Sequence, residues 1–340
     1  MNSNSTIDAV ITWVDGSDLK HSEKLQNYLA SIGGEPPRGA SSSRFHHSGE
    51  LDYCVASLLR FAPWVRNIFI VTDEQTPNLI KLLKGTDYEH RVKIIDHKVI
   101  FSGYENHLPT FNSSSILNLL WRIPELAENF LFLNDDFALI QPVQPKDFFY
   151  ENKVVLRGEW RIHAGELWHK KIKTWIKKIF YSGGRAHKER AGYLVRQSAS
   201  AKLTGFSKKY FQLEHNPHSW RRSTFATFFT ENPEILDSAI KFKLRSPKQY
   251  VVEALAAHLE FRQAGVVVDN SLKTMQLKPS SQSGMRIKYK LRKMDSNPSI
   301  AFVCVQNIEA APESIQRTVF EWMDIRIGSL TDLIESKSNK

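Results

Sequence analysis

The sequence predicts a mixed, mainly parallel α/β sheet with helices on both faces, interrupted by a basic helical insertion. Three observations predict it. Between residues 7 and 150, β-branched apolar runs alternate with helical stretches, the pattern of a sheet covered on both sides. Three of those runs end in carboxylates. The positive charge of the chain is concentrated in one segment, which sets that segment apart from the rest. At 340 residues with 41% hydrophobic content, the chain fits one α/β core carrying a large insertion.

The elements follow in order. Ile7 to Val14 (IDAVITWV) reads as a buried strand running into Asp15-Gly16-Ser17-Asp18, and Lys20 to Ile32 as a helix. Gly33 to Ser43 (GGEPPRGASSS) is a loop by composition, placed either as a flap or as ordinary surface. Glu50 to Phe61 is helical, Ile68 to Thr72 (IFIVT) is a strand ending in Asp73, and Asn78 to Lys84 and Ser113 to Trp121 are further helices. Phe130 to Phe137 (FLFLNDDF) is an apolar strand ending in Asn134, Asp135 and Asp136. After residue 210 come His215 to Thr230, a helix around Pro247 to Arg262, and a strand at Val266 to Asp269. Arg286 to Leu291 alternates as a half-exposed strand would, and a closing helix begins at Ser314. The expected division is 1–150 and 211–340 as two parts of one core, with 151–210 as the basic insertion.

Two adjacent carboxylates at the carboxyl end of a buried strand lie where open α/β sheets bind ligands. Their hard oxygens suit Mg²⁺, or Mn²⁺, beside a diphosphate. This makes Asp135 and Asp136 a candidate nucleotide-sugar site, although Asn and Asp are also ordinary turn formers. Asp15 and Asp73 end two other strands and would share the same rim.

From Lys153 to Lys209 there are 15 Lys and Arg against 3 Glu, a net +12, so the remainder of this +10 chain sums to −2. Within that segment Ile172, Trp175, Ile176, Ile179 and Phe180 form an apolar helical stripe, with Lys170, Lys171, Lys173, Lys177 and Lys178 around it. Such a helix suits an anionic membrane surface or a polyanionic chain, or simply a solvated face. No helix-turn-helix, zinc-ligand spacing or aromatic RNA-binding motif accompanies the charge, so nucleic acid is not an expected partner. No apolar run approaches a membrane span and no secretory signal is visible, which together with two cysteines in apolar context predicts a cytoplasmic protein with buried thiols.

The second half supplies a base and a cation. His215 and His218 stand in HNPH, and histidine is the side chain best suited to take a proton from a sugar hydroxyl near neutral pH. Arg245, in LRSP, is placed to offer its guanidinium to phosphate oxygens. A zinc site from these histidines is disfavoured, because no ligand set of the usual spacing surrounds them.

The chain resembles the Stealth proteins, which include bacterial capsular polysaccharide hexose-1-phosphate transferases and the catalytic subunit of the N-acetylglucosamine-1-phosphotransferase of lysosomal enzymes. The resemblance is carried by IDAVITWVDGSD at 7–18, RFHHSGELDYCVASLLRFAPWVRNIFIVTDEQTP at 44–77 and LPTFNSSSILNLLWRIPELAENFLFLNDDF at 108–137. HNPH at 215–218, and FKLRSP at 242–247 followed by His258, match more weakly. It implies a GT-A-like nucleotide-sugar-binding core and transfer of a sugar 1-phosphate from a UDP-sugar to a hydroxyl of a growing capsular or cell-surface polysaccharide, releasing UMP. By position, Asp8 and Trp13 would contact the donor, with Asp15 beside them, and Arg44 and Ser113 would line the pocket. Asn134, Asp135 and Asp136 would hold the metal and pyrophosphate. His215 would be the general base supported by His218, and Arg245 would stabilise phosphoryl charge.

The family block usually has Asn where Asp15 stands, and a Glu and histidines where Leu117 and Trp121 appear, which bears on donor-sugar specificity. The alternative activity is a metal-dependent glycosyltransferase releasing UDP. A non-enzymatic alternative is a basic glycan- or membrane-docking module that retains an inactive fold. Capsule assembly proteins and the inner face of the cytoplasmic membrane are the expected surroundings.

Overall fold

The computed structural model describes residues 6–33, 49–163 and 185–338. Arg44, the 33–43 loop beyond Gly33, and the expected basic helix at 170–180 lie outside the described residues.

Four parallel strands build the main sheet: β1 (Ile7–Thr12), β2 (Val65–Thr72), β3 (Val92–Asp96) and β4 (Asn129–Asn134). The remaining strands are β5 (Phe137–Leu139), β6 (Phe149–Tyr150), β7 (Lys153–Leu156), β8 (Gly158–Ile162), β9 (Lys209–Leu213), β10 (His218–Arg221), β11 (Val266–Val268), β12 (Lys273–Leu277) and β13 (Ile300–Val305). Strand β10 joins the main sheet antiparallel to β4, giving the order β10-β4-β1-β2-β3.

Strands buried on both faces need apolar residues at every position, and the continuous runs of β1 and β4 meet that need. Ala9, Ile11, Ile68, Ile70, Leu131 and Leu133 pack into one cluster with Leu51, Cys54, Val55 and Leu58 of the helix Glu50–Phe61. Val10, Phe69, Val71, Phe130 and Phe132 pack on the other face against Leu120, Phe225, Leu236 and Leu255. The period-two alternation therefore puts a helical layer on each side, as expected.

A second sheet, ordered β12-β13-β5, begins where the first ends, since the Asp135–Asp136 turn carries β4 of one directly into β5 of the other. Strand β13 runs antiparallel to β5 with Cys304 opposite Phe137, and Val305 N–H donates to Asp136 O at 2.9 Å. A third sheet has the order β11-β7-β6, and β8 pairs antiparallel with β9 from Gly158–Leu213 to Ile162–Lys209. That last pair brings the two ends of the basic segment side by side.

Arg286 to Leu291 is helical, within Gly284–Ser296, where a half-exposed strand was expected. Six residues of alternating basic and apolar character fit either period. Ile287, Leu291 and Met294 reach the core at i, i+4 and i+7, and the Ser283 side chain accepts from Arg286 N–H to start the helix. The expected helix at 113–121 is shorter, Ser113–Leu117, with a single 3₁₀ turn at Leu120–Arg122. Cys54 and Cys304 are buried free thiols. Among the described residues, no helix is long and apolar enough to cross a membrane.

Candidate functional site

The chain lays β2 and β3 on one side of β1 and then returns to place β4 on the other, so the strand order switches between β1 and β4. The carboxyl ends flanking such a switch form the ligand crevice of an open α/β sheet. Register puts Thr12 beside Asn134 there, so Trp13 to Asp15 and Asp135 to Asp136 leave the sheet as neighbours.

Asp135 and Asp136 turn from one sheet into the next and keep a partly exposed edge. Burial raises the Asp135 carboxyl well above its ordinary range, and the charges of Asp136 and Glu50 push it further. Burial likewise lifts Asp136 to about 6, with Glu50 adding to the rise; the Cys304 thiol, which donates to Asp136 Oδ2 at 3.3 Å, and the charge of Arg245 oppose it. Asp136 Oδ1 is shut from solvent without a hydrogen-bond partner. A strained pair of hard carboxylates with a sealed, unpartnered oxygen fits a divalent cation.

Glu50 escaped the sequence reading. It opens the helix Glu50–Phe61, where an acidic residue looks like an ordinary complement to the helix dipole. Only the fold reveals that this helix start faces the aspartate turn.

His215 follows β9 and stands edge-on to Phe137 at 4.8 Å. Its Nε2 lies 3.2 Å from the Gln306 side-chain nitrogen, which can only donate, so Nε2 accepts and the ring proton sits on Nδ1. Burial, with the nearby charge of Lys278, lowers its pKa to about 4, so the ring is neutral at physiological pH. His218 has a different setting. It begins β10 opposite Phe132 and lies flat against that ring at 6.3 Å, inside the aromatic layer under the sheet. Burial, then the charge of His215, lowers its pKa to about 3. The more weakly matched His258 is fully buried, its Nε2 accepting from Phe211 N–H at 2.8 Å.

Arg245 reaches the site from the other half of the chain. Its Nη2 donates to Ser113 Oγ at 2.6 Å, and its charge is felt by Asp136. The Arg245 loop is stapled to the start of the helix Ser113–Leu117, because Asn112 Nδ2 donates to Phe242 O at 2.8 Å and to Gln249 Oε1 at 3.0 Å. Trp13 is buried against the Glu50–Phe61 side of the sheet. Asp15 exchanges hydrogen bonds with Gln75 and turns its carboxylate onto Ser17 N at 2.9 Å and Ser17 Oγ at 2.6 Å. Asp73 ends β2 on the same rim but is paired with Lys24 at 2.8 Å.

Asp8 does not join them. It lies at the amino end of β1, opposite Phe130, and is fully buried. Its carboxylate takes both Arg66 Nε at 3.0 Å and Arg66 Nη2 at 2.7 Å, with Asn67 N at 3.1 Å and Ala127 N at 2.7 Å. Those four donors occupy both oxygens, so Asp8 ties the amino ends of β1 and β2 and the approach to β4 together at the far side of the sheet from the aspartate turn. The structure therefore does not bring Asp8 to the aspartate turn, beside which a donor contact was expected of it.

The sequence matches two family models: Stealth protein conserved region 1 over residues 6–33 and conserved region 2 over residues 44–156. The chain is 39% identical over 151 residues to a capsular polysaccharide phosphotransferase of Actinobacillus suis, a match covering 44% of this chain and 39% of that protein. It is 39% identical over 152 residues to one of Haemophilus influenzae, covering 45% and 40%. An exopolysaccharide phosphotransferase of Streptomyces coelicolor is 42% identical over 147 residues, which is 43% of this chain and 15% of that protein. The matched stretch thus spans at most about two fifths of these relatives, and His215, Arg245 and Cys304 lie beyond both family models. Among solved structures, the galactosyltransferase LgtC aligns at 11% identity with a TM-score of 0.42 over 88% of this chain and 86% of that one. The bifunctional glycosyltransferase WbbM aligns at 11% identity and a TM-score of 0.42, over 99% and 52%.

Proposed function

We propose that this chain, which matches the Stealth conserved regions 1 and 2 over residues 6–33 and 44–156, transfers a sugar 1-phosphate from a UDP-sugar to a hydroxyl of a capsular or cell-surface polysaccharide. The observation that supports this reading most is the meeting of Asp135 and Asp136 with His215 and Arg245, drawn from three distant stretches to the carboxyl ends of β1 and β4.

In this reading the acceptor hydroxyl oxygen attacks the sugar-bearing phosphorus, a new P–O bond forms, and the diphosphate bridge breaks to release UMP. His215 takes the hydroxyl proton at Nε2 once Gln306 yields its place there. Its neutrality keeps that nitrogen unprotonated, and an incoming phosphate would raise its basicity. Arg245, steadied by Ser113, neutralises oxygens of the transferring phosphoryl group. Asp135 and Asp136 would hold Mg²⁺ or Mn²⁺, which would supply charge neutralisation to the diphosphate. Trp13, Asp15, Ser113 and Asn134 line the donor side. His218 supports the base through packing, since its ring lies in the aromatic layer.

Residues 1–150 and 211–340 would form the catalytic core. The basic 151–210 segment, its stem formed by β8 and β9, would hold a polyanionic acceptor or rest on the anionic inner face of the cytoplasmic membrane.

The test is to incubate the protein with Mg²⁺, a panel of UDP-sugars and a short capsule-like acceptor, and identify the released nucleotide. UMP with phosphorus retained in the glycan, lost in Asp136→Ala, is the expected result. UDP with no phosphorus in the product identifies a glycosyltransferase instead and overturns the proposal.

A further inference from the structure

We propose that Asp136, His215 and Cys304 form a binding site for a thiophilic divalent cation of the Zn²⁺ class, which shares Asp136 with the oxygen-seeking ion assigned to Asp135 and Asp136 but differs from it in its nitrogen and sulfur donors. One ligand atom from each of the three residues lies within 4.8 Å of the others, and Cys304 Sγ is already 3.3 Å from Asp136 Oδ2, close to the separation of two ligands on one tetrahedral metal. The other carboxylate oxygen, Asp136 Oδ1, is buried with no partner and is open to either ion.

The three side chains are held on firm supports. Cys304 is fixed opposite Phe137 by the β13–β5 ladder, and Val305 N–H clamps the Asp136 carbonyl from the same strand. His215 is braced against the Phe137 ring and by Gln306, two residues along from Cys304.

The donor set decides the ion. Sulfur and imidazole nitrogen favour Zn²⁺, Co²⁺ or Cd²⁺, whereas Mg²⁺ and Ca²⁺ take oxygen. Three protein ligands leave a fourth position open, as in reactive rather than purely structural zinc sites. Binding converts the Cys304 thiol to a metal thiolate and releases one proton to solvent, with no change of oxidation state. The sequence hid this site because its ligands come from three separate segments with none of the spacing that marks a zinc motif, and the sequence-based objection to zinc falls with that. Resting here on the function proposed above, an ion in this position occupies Asp136 and His215 and therefore inhibits transfer.

The experiment uses the full chain, stripped of metal by chelation and titrated with Co²⁺. The expected result is a sulfur-to-cobalt charge-transfer band in the near ultraviolet, with visible bands of four-coordinate intensity. Cys304→Ser removes the charge-transfer band, while Cys54→Ser, at the other buried thiol, leaves it. Zn²⁺ displaces the cobalt and a large excess of Mg²⁺ does not. His215→Gln keeps the thiol yet weakens Co²⁺ binding by more than the roughly 10- to 100-fold that loss of an outer-shell partner costs, which keeps the proposal testable should Cys304→Ser fail to fold. Absence of the band, its persistence in Cys304→Ser, or displacement by Mg²⁺ overturns the proposal. The spectra need no substrate, so a normal cobalt signature in a protein that releases no UMP would refute the proposed reaction and leave this site standing.

Discussion

Asp136→Asn should gain stability relative to the wild type as pH rises towards neutral, while abolishing activity. Raising a carboxyl from its ordinary 3.8 to about 6 disfavours the charged form in the folded protein by about 3 kcal/mol. The folded pKa lies above the unfolded one, so the wild-type protein loses ground to the amide variant as pH rises from 3.8 to 6, and carries the full deficit above 6. About 3 kcal/mol is the ceiling, because the residue keeps a partly exposed edge. The amide is nearly isosteric and its oxygen can still accept from the Cys304 thiol, but its NH2 then takes the sealed place of Oδ1, an unsatisfied donor that offsets about 1–3 kcal/mol of the gain at every pH. For a chain of this length the unfolding entropy is about 0.7 kcal/mol per degree, so the ceiling corresponds to a rise of about 4 °C in Tm. Urea unfolding of both proteins at a series of pH values from 3.5 to 7.5, without divalent ions, measures it. Adding Mg²⁺ should then stabilise the wild type alone. A stability difference between the two proteins that stays constant from pH 3.5 to 7.5 would refute the account of Asp136 as a charge awaiting a cation.

Glu50→Gln removes a charge that pushes both aspartates up, so the acid limb of the pH–rate profile, set by ionisation of Asp136, should move to lower pH. An unmoved limb would place Glu50 outside the electrostatics of the site. Arg245→Gln works in the opposite sense, moving that limb to higher pH, and should lower kcat by about 100-fold or more as phosphoryl charge loses its donor; unchanged turnover would remove Arg245 from the site. Asp8→Asn weakens a bidentate pair in which Asp8 is buried and Arg66 is half-exposed, and should cost about 1–3 kcal/mol in unfolding free energy. UDP-sugar affinity measured calorimetrically on the folded variant should be unchanged, whereas lost affinity at unchanged stability would restore Asp8 as a donor contact.

Local pattern was sufficient wherever one strand or one helix carried the information. The helix Glu50–Phe61 and the carboxylate-tipped β1, β2 and β4 were legible because apolar runs and their polar ends are contiguous in sequence. The second sheet was not. Ile300–Val305 reads as an apolar run of either type, and its partner β5 has only three residues, too few to show a period. Asp8 misled because a carboxylate in a strand carries no mark of which end of the sheet it occupies; only the parallel register with β4 puts it at the amino end. Glu50, Gln306 and Cys304 were invisible for a related reason, since each is unremarkable on its own element and becomes part of a site through the turn that joins the two sheets.

Charge balance argues that the site is built to be completed. Glu50, Asp135 and Asp136 press on one another, and the counter-charge felt by Asp136 comes from Arg245, which is itself engaged with Ser113. Lys278 acts on His215 and lowers its pKa. On the proposed reaction, a diphosphate brought beside these carboxylates would add further negative charge, so its binding would need a cation at the aspartates or protonation of one of them. Those two routes separate experimentally. If a cation completes the site, donor affinity rises with Mg²⁺ concentration at pH 7.5; if protonation does, affinity without metal rises as pH falls through about 6 and Mg²⁺ adds nothing. A proton on the sealed Asp136 Oδ1 would be a buried donor with no acceptor, whereas a cation satisfies that oxygen, and this favours the cation.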